Sequence, residues 1–279
     1  MEVVKTLVLV TFIAGVMGTG LGGLIGAMLQ KESNKVVSLL LSFAGGVMLS
    51  VVCFDLVVEA IETETGIGIV IASITFGVLV NSALNYWFDR NTNPEVPDID
   101  SNHPKTADSL EELIHSDHLQ QHKMKAGNKL SLFIAGIIMA CAIALHNVPE
   151  GMTIGASYAS NEGVLGRSAL MLAVLIGLHN IPEGMAVSVP LISGGMSKGK
   201  AVVVTASSGI PTIIGALLGY LLGELGPIGL TLSLGFASGA MLYVVFGEIL
   251  PQSYLLHSSK IPAYSAIVGI LVGLLIIFA

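Results

Sequence analysis

Two nearly identical hexapeptides carry the chemistry in this chain: His146-Asn147-Val148-Pro149-Glu150-Gly151 and His179-Asn180-Ile181-Pro182-Glu183-Gly184. In each, histidine and glutamate stand four residues apart, which puts both on one face of a helix. Two such pairs offer imidazole nitrogens and carboxylate oxygens, a donor set that suits zinc, iron and manganese. Asn147 and Asn180 stand one position round the helix and can serve an adjoining site. Each proline lacks an N–H, so the carbonyls of Leu145 and Leu178 lose their helical donor. Those carbonyls are then free to accept water or touch metal.

The hexapeptides sit in apolar surroundings. The chain has 279 residues, 53% of them hydrophobic and only 11% charged, with a mean hydropathy of +0.83. Soluble domains carry about 25% charged residues, so too few charges remain here to cover a water-facing surface, and lipid is the expected solvent. The net charge of -7 sits in loops, and no basic stretch suits nucleic acid. An acid at the bilayer centre costs about 2.5–3.5 kcal/mol on insertion scales. Glu150, Glu183, Asp55 and Glu248 together would cost on the order of 10 kcal/mol if unpaired. The spans hold almost no basic residues to pair them, so a dication, protons or a wet cavity must compensate.

The elements that position these groups are apolar runs of spanning length, about 20 residues each. Eight qualify, near 5–29, 36–60, 66–88, 130–158, 166–192, 200–222, 228–254 and 262–279. The run from Leu7 to Leu29 is too long for a signal-peptide core and is the expected first span. The expected fold class is therefore an all-α integral membrane protein with eight transmembrane helices, and 1–279 forms one transmembrane domain. Within it, 89–128 is a polar loop with Pro94, Pro97 and Pro104. With the N-terminus outside, Lys31, Lys35, Arg90, Lys105, Lys123, Lys125, Lys129, Lys198, Lys200 and Lys260 fall on the inner side, and only Lys5 and Arg167 on the outer. This asymmetry puts both termini outside and the long loop in the cytoplasm.

The chain also repeats itself. Phe43-Ala-Gly-Gly-Val-Met-Leu-Ser-Val-Val-Cys-Phe-Asp55 aligns with Phe236-Ala-Ser-Gly-Ala-Met-Leu-Tyr-Val-Val-Phe-Gly-Glu248, with seven of thirteen positions identical and an acid closing each copy. Thr19–Ala27 aligns more weakly with Ser208–Ala216. Helices 1–3 thus resemble helices 6–8, and the odd offset of five spans between equivalents gives the copies opposite orientation. Inverted repeats are typical of transporters that bind substrate at the midplane. Met48, aligned with Met241, is expected near midplane. Asp55 and Glu59 continue its face outward as an acidic entrance, and Glu248 with Gln252 forms an inner exit.

Thr205, Ser208 and Thr212 make a polar stripe on the sixth helix that either lines the cavity or bonds its own backbone. Gly18, Gly22 and Gly26 read as a packing face. Cys53 and Cys141 read as small core residues without a disulfide. In the loop, His115, His118 and His122 have helical spacing and, with His103, form either a metal-collecting element or a solvated loop.

The paired His-Asn-x-Pro-Glu-Gly motifs, the eight spans and the His-bearing loop after the third resemble the ZIP family of zinc and iron transporters, nearest its bacterial GufA-like branch. The resemblance covers nearly the whole chain. It implies a 3+2+3 helix arrangement, frequent homodimers, and influx of divalent metal across the cell (inner) membrane. It also implies a first metal site of Met48, His146, Glu150, His179 and Glu183, and a second of Asn147, Asn180, Glu150 and Glu183. Many relatives place a glutamate where Thr212 stands and an acid where Asn180 stands. That departure implies a weaker or absent second site and a single-metal cycle.

The leading expectation is transport of zinc, with iron, manganese or cadmium as further substrates, by alternating access. The metal is cargo, no organic cofactor is expected, and the partners are metal ions and the lipid bilayer. An intramembrane zinc hydrolase is the alternative, but it leaves the inverted repeat unexplained and no HExxH motif is present. A metal sensor without flux is a third class.

Overall fold

In lipid, backbone polar groups must be satisfied within the segment, so an apolar run of this length folds as a helix. The computed structural model describes residues 2–28, 34–92, 129–159 and 167–278. These residues form eight helical rods and no strand: α1 (Glu2–Met28), α2 (Lys35–Glu62), α3 (Ile67–Thr92), α4 (Lys129–Ala159), α5 (Arg167–Ser193), α6 (Lys198–Gly223), α7 (Pro227–Tyr254) and α8 (Ile261–Phe278). Among the described residues, α1, α2, α3, α5, α6, α7 and α8 each contain a stretch long and apolar enough to cross a membrane. The 31-residue α4 carries the first hexapeptide and α5 the second. α3 runs to Thr92, four residues into the expected loop. His103, His115, His118 and His122 lie outside the described residues.

Glycine decides which rods approach most closely, because a missing Cβ lets one backbone sit where a side chain would be. Gly22 of α1 lies against the Ile181 carbonyl of α5, and Gly184 of α5 against Thr19. Gly151 and Gly155 of α4 meet the Thr212 and Ala216 carbonyls of α6. Elsewhere, Gly46 and Gly269 join α2 to α8, while Gly77 and Gly239 join α3 to α7. The bundle therefore divides into α1, α4, α5, α6 and α2, α3, α7, α8. Among the described residues, the glycine contacts across that division are Gly223 with the Leu230 side chain and Gly229 with the Leu222 carbonyl, both at the α6–α7 connection. The expected packing face on α1 is thus occupied by α5, with Gly18 and Gly26 also against it.

Hydroxyl groups clasp α2 to α7 at both ends. Ser38 Oγ donates to the Ser253 carbonyl at 2.6 Å, and Ser42 bonds the Ser253 hydroxyl. At the opposite end, Thr231 Oγ1 lies 2.6 Å from Thr63 Oγ1 and 2.9 Å from Thr65 Oγ1. Ser38 and Thr231 are aligned positions of the sequence repeat. So are the π turns that interrupt both rods, Val52–Leu56 and Val245–Ile249, each holding its acid, Asp55 or Glu248, at the fourth place. α1 has a π turn at Phe12–Met17, and α6 breaks between Ser207 and Pro211.

One expectation is corrected. Cys53 and Cys141 are exposed on the outside of the bundle, not packed in its core. Between membrane helices no hydrophobic force draws small apolar residues inward, so apolarity does not predict the facing side.

Candidate metal centre

α4 and α5 pack side by side and bring the hexapeptides face to face. His146, Glu150, His179 and Glu183 are all buried. His146 Nε2 lies 3.8 Å from Glu150 Oε1 and 3.6 Å from Glu183 Oε1. His146, Glu150 and Glu183 each offer one ligand atom, all within 4.8 Å of one another. Tetrahedral zinc with bonds of about 2.0–2.2 Å sets its ligands roughly 3.3–3.5 Å apart. The trio is already near that spacing. His179 Nε2 sits closer, 2.8 Å from Glu150 Oε1, at hydrogen-bonding distance.

The site is short of donors. Glu150 Oε2, both Glu183 oxygens and His146 Nε2 have no hydrogen-bond partner. Burying a carboxylate without donors is costly, and a cation among these atoms removes that cost. The residues therefore fit a divalent ion.

A narrow cleft reaches His146 from the side of Glu248. Asn81 and Asn85 of α3, Leu145 of α4 and Glu248 of α7 line it. Asn81 and Asn85 escaped the sequence analysis. Their spacing of four residues in an apolar helix was the available signal. Asn85 Nδ2 donates to the Tyr243 hydroxyl at 3.1 Å.

A family model described as ZIP Zinc transporter matches residues 2–279. The chain belongs to the ZIP zinc transporter family. Among its ZIP relatives, Zinc transporter ZupT of Chlorobium chlorochromatii (strain CaD3) is 31% identical over 277 residues, 95% of this chain and 92% of that protein. Zinc transporter ZupT of Clostridium perfringens (strain 13 / Type A) is 30% identical over 274 residues, again 95% and 92%. Zinc transporter GufA of Myxococcus xanthus is 36% identical over 140 residues, 50% of this chain and 53% of its own length. The ZIP match and the seven membrane-length helices describe a multi-pass membrane protein.

The other expected residues of this ZIP chain are distributed around the centre. Met48 and Met241 are buried in the main apolar core, together with Leu172, Leu175 and Ile176 of α5. Asp55, Glu59, Glu248 and Gln252 are half-buried. Glu59 Oε2 accepts a hydrogen bond from Ser157 of α4 at 3.1 Å, across the division between the two helix sets. Ser208 bonds its own helix through Thr205 O at 2.6 Å, whereas the buried Thr205 and Thr212 hydroxyls find no partner. Asn147 and Asn180 are buried, and each donates its amide N–H to a backbone carbonyl on a neighbouring helix.

Proposed function

We propose that this chain carries zinc across the cell membrane into the cytoplasm by alternating access, with His146, Glu150, His179 and Glu183 taking the ion. The observation that carries this reading is the trio of His146, Glu150 and Glu183, whose ligand atoms lie within 4.8 Å of one another while three of their four carboxylate oxygens lack a hydrogen-bond partner. His179 becomes the fourth ligand by exchanging its bond to Glu150 for the ion. The names of the ZupT and GufA relatives favour zinc over iron, manganese or cadmium, which we keep as lesser substrates.

Eight spans in a 3+2+3 arrangement, with both termini outside and the 89–128 loop in the cytoplasm, fit the lysine and arginine asymmetry. Metal then enters past Glu59 and Asp55, with Met48 at the ion's side, and leaves past Glu248 and Gln252. Ser208 and Thr212 flank the route on α6. The cleft between His146 and Glu248 lies on the cytoplasmic side of the ion in this scheme. The four ligands belong to one glycine-packed set of helices, so the set α1, α4, α5, α6 moves against the other and takes the ion with it. Two copies assemble as a dimer. No observation favours the hydrolase alternative.

Purified protein in liposomes loaded with a zinc-sensitive dye tests the proposal. Wild type should show saturable uptake and Glu183→Ala none. Equal uptake by both would sink the assignment.

A further inference from the structure

We infer that Asn147 and Asn180 serve this transport through their amide N–H groups, as positioning residues that fasten α6 and α1 to the helices bearing the metal ligands. The inference rests on the transport reading above but uses different atoms.

Asn147 Nδ2 lies 2.8 Å from the Ser208 carbonyl oxygen, and Asn180 Nδ2 lies 3.1 Å from the Ala14 carbonyl oxygen. A carbonyl only accepts, so the amide atom facing it must be the NH₂ group. Both side chains are fully buried.

The two carbonyls share a defect. Residue 211 is proline and has no N–H, and the Thr212 N–H bonds Gly209 O at 3.2 Å. Neither donor that would normally serve Ser208 O is therefore available, and Asn147 supplies one. In α1 the π turn has the same effect. The Gly18 N–H bonds the Ile13 and Gly15 carbonyls and passes over Ala14, four residues back. Asn180 supplies that missing donor. Equivalent asparagines of the two hexapeptides thus repair broken ladders on two different helices. The defects also adjoin each other, since Gly15 and Gly209 pack backbone to backbone where α1 crosses α6. An amide at position 147 or 180 fixes this crossing one residue away from His146 or His179, so the four-helix set keeps its ligands aligned as it moves.

Aspartate separates the two halves of the amide. It keeps an oxygen, and is the better metal ligand, but as a carboxylate it cannot donate. Full-length wild type, Asn147→Asp, Asn180→Asp and the corresponding alanine variants are compared in three ways: zinc uptake in liposomes, zinc bound per protomer, and backbone hydrogen exchange. We expect each Asp and each Ala variant to lose about tenfold in turnover, the scale of one buried hydrogen bond, with KM within twofold of wild type. Bound zinc should stay at the wild-type value. Exchange should quicken in peptides spanning 208–212 for the position-147 variants and 14–18 for the position-180 variants. An Asp variant that binds more zinc, or transports as fast as wild type, overturns the inference, because the oxygen is then the working atom. If an Asp variant does not fold, the Ala variant decides: less bound zinc than wild type overturns the inference and unchanged zinc supports it. If wild type takes up no zinc, the transport reading fails, while exchange still reports whether these amides hold α1 and α6.

Discussion

His179 Nε2 lies 2.8 Å from Glu150 Oε1, so the two repeated hexapeptides meet directly across α4 and α5. Glu150 also faces His146 from one turn along its own helix. One carboxylate thus sits between both imidazoles. Glu150→Ala should abolish zinc uptake. His179→Ala, which removes the proposed fourth ligand together with the partner of Glu150, should weaken zinc binding by more than the roughly tenfold lost with an outer-shell partner. At 100 times its Kd, zinc should stabilise wild type by about 2.7 kcal/mol and leave Glu150→Ala unchanged. Thermal unfolding of the purified proteins with and without zinc measures both effects.

Gly151 and Gly68 should respond in opposite ways to the same added methyl group. A Cβ at Gly151 would fall on the Thr212 carbonyl of α6, whereas one at Gly68 meets nothing within 4 Å. Gly151→Ala should cost roughly 1–3 kcal/mol, the usual range for overpacking. Gly68→Ala should be neutral or slightly stabilising, since alanine favours a helix. Melting temperatures in one detergent compare the two directly.

Asn85 should matter to release more than to binding. It lines the cleft beside Glu248 and is held by Tyr243. Asn85→Leu replaces a polar wall with an apolar one next to an acid. Turnover should fall severalfold while zinc affinity at equilibrium stays within twofold. A matched fall in affinity would place Asn85 at the ion instead.

Ser157 donates to Glu59 across the division between the helix sets. If the sets move against each other, that bond must break in each cycle. Ser157→Ala should lower stability by about 1 kcal/mol, the net worth of such a bond, and raise the uptake rate. Slower uptake at unchanged zinc binding would mean that the contact helps transport and does not restrain it.

The hexapeptides were legible because their chemistry is local: His146 and Glu150 share a helix face by spacing alone. The run lengths of the helices were legible for the same reason, and so was the packing role of Gly18, Gly22 and Gly26. Cys53 was misplaced because lipid, unlike water, gives apolar residues no reason to face inward. Asn81 and Asn85 gained meaning only when α7 brought Glu248 beside them. The fate of the Ser208 carbonyl depends on a single displaced hydrogen bond at Thr212, which no composition or period reveals. The pairing of Ser38 with Ser253 joins residues 215 positions apart, and nothing in either segment announces the other.

The π turns at Val52–Leu56 and Val245–Ile249 each fit one more residue into a turn than an α-helix holds. The same surplus stands at aligned positions of the sequence repeat. The wide turn absorbs that residue, so the helix beyond it keeps its phase. Deleting one residue from Val52–Leu56 would close it as an ordinary α turn, leaving Glu59 opposite Ser157 and Thr63 opposite Thr231. Only the backbone that presents Asp55 would change its course.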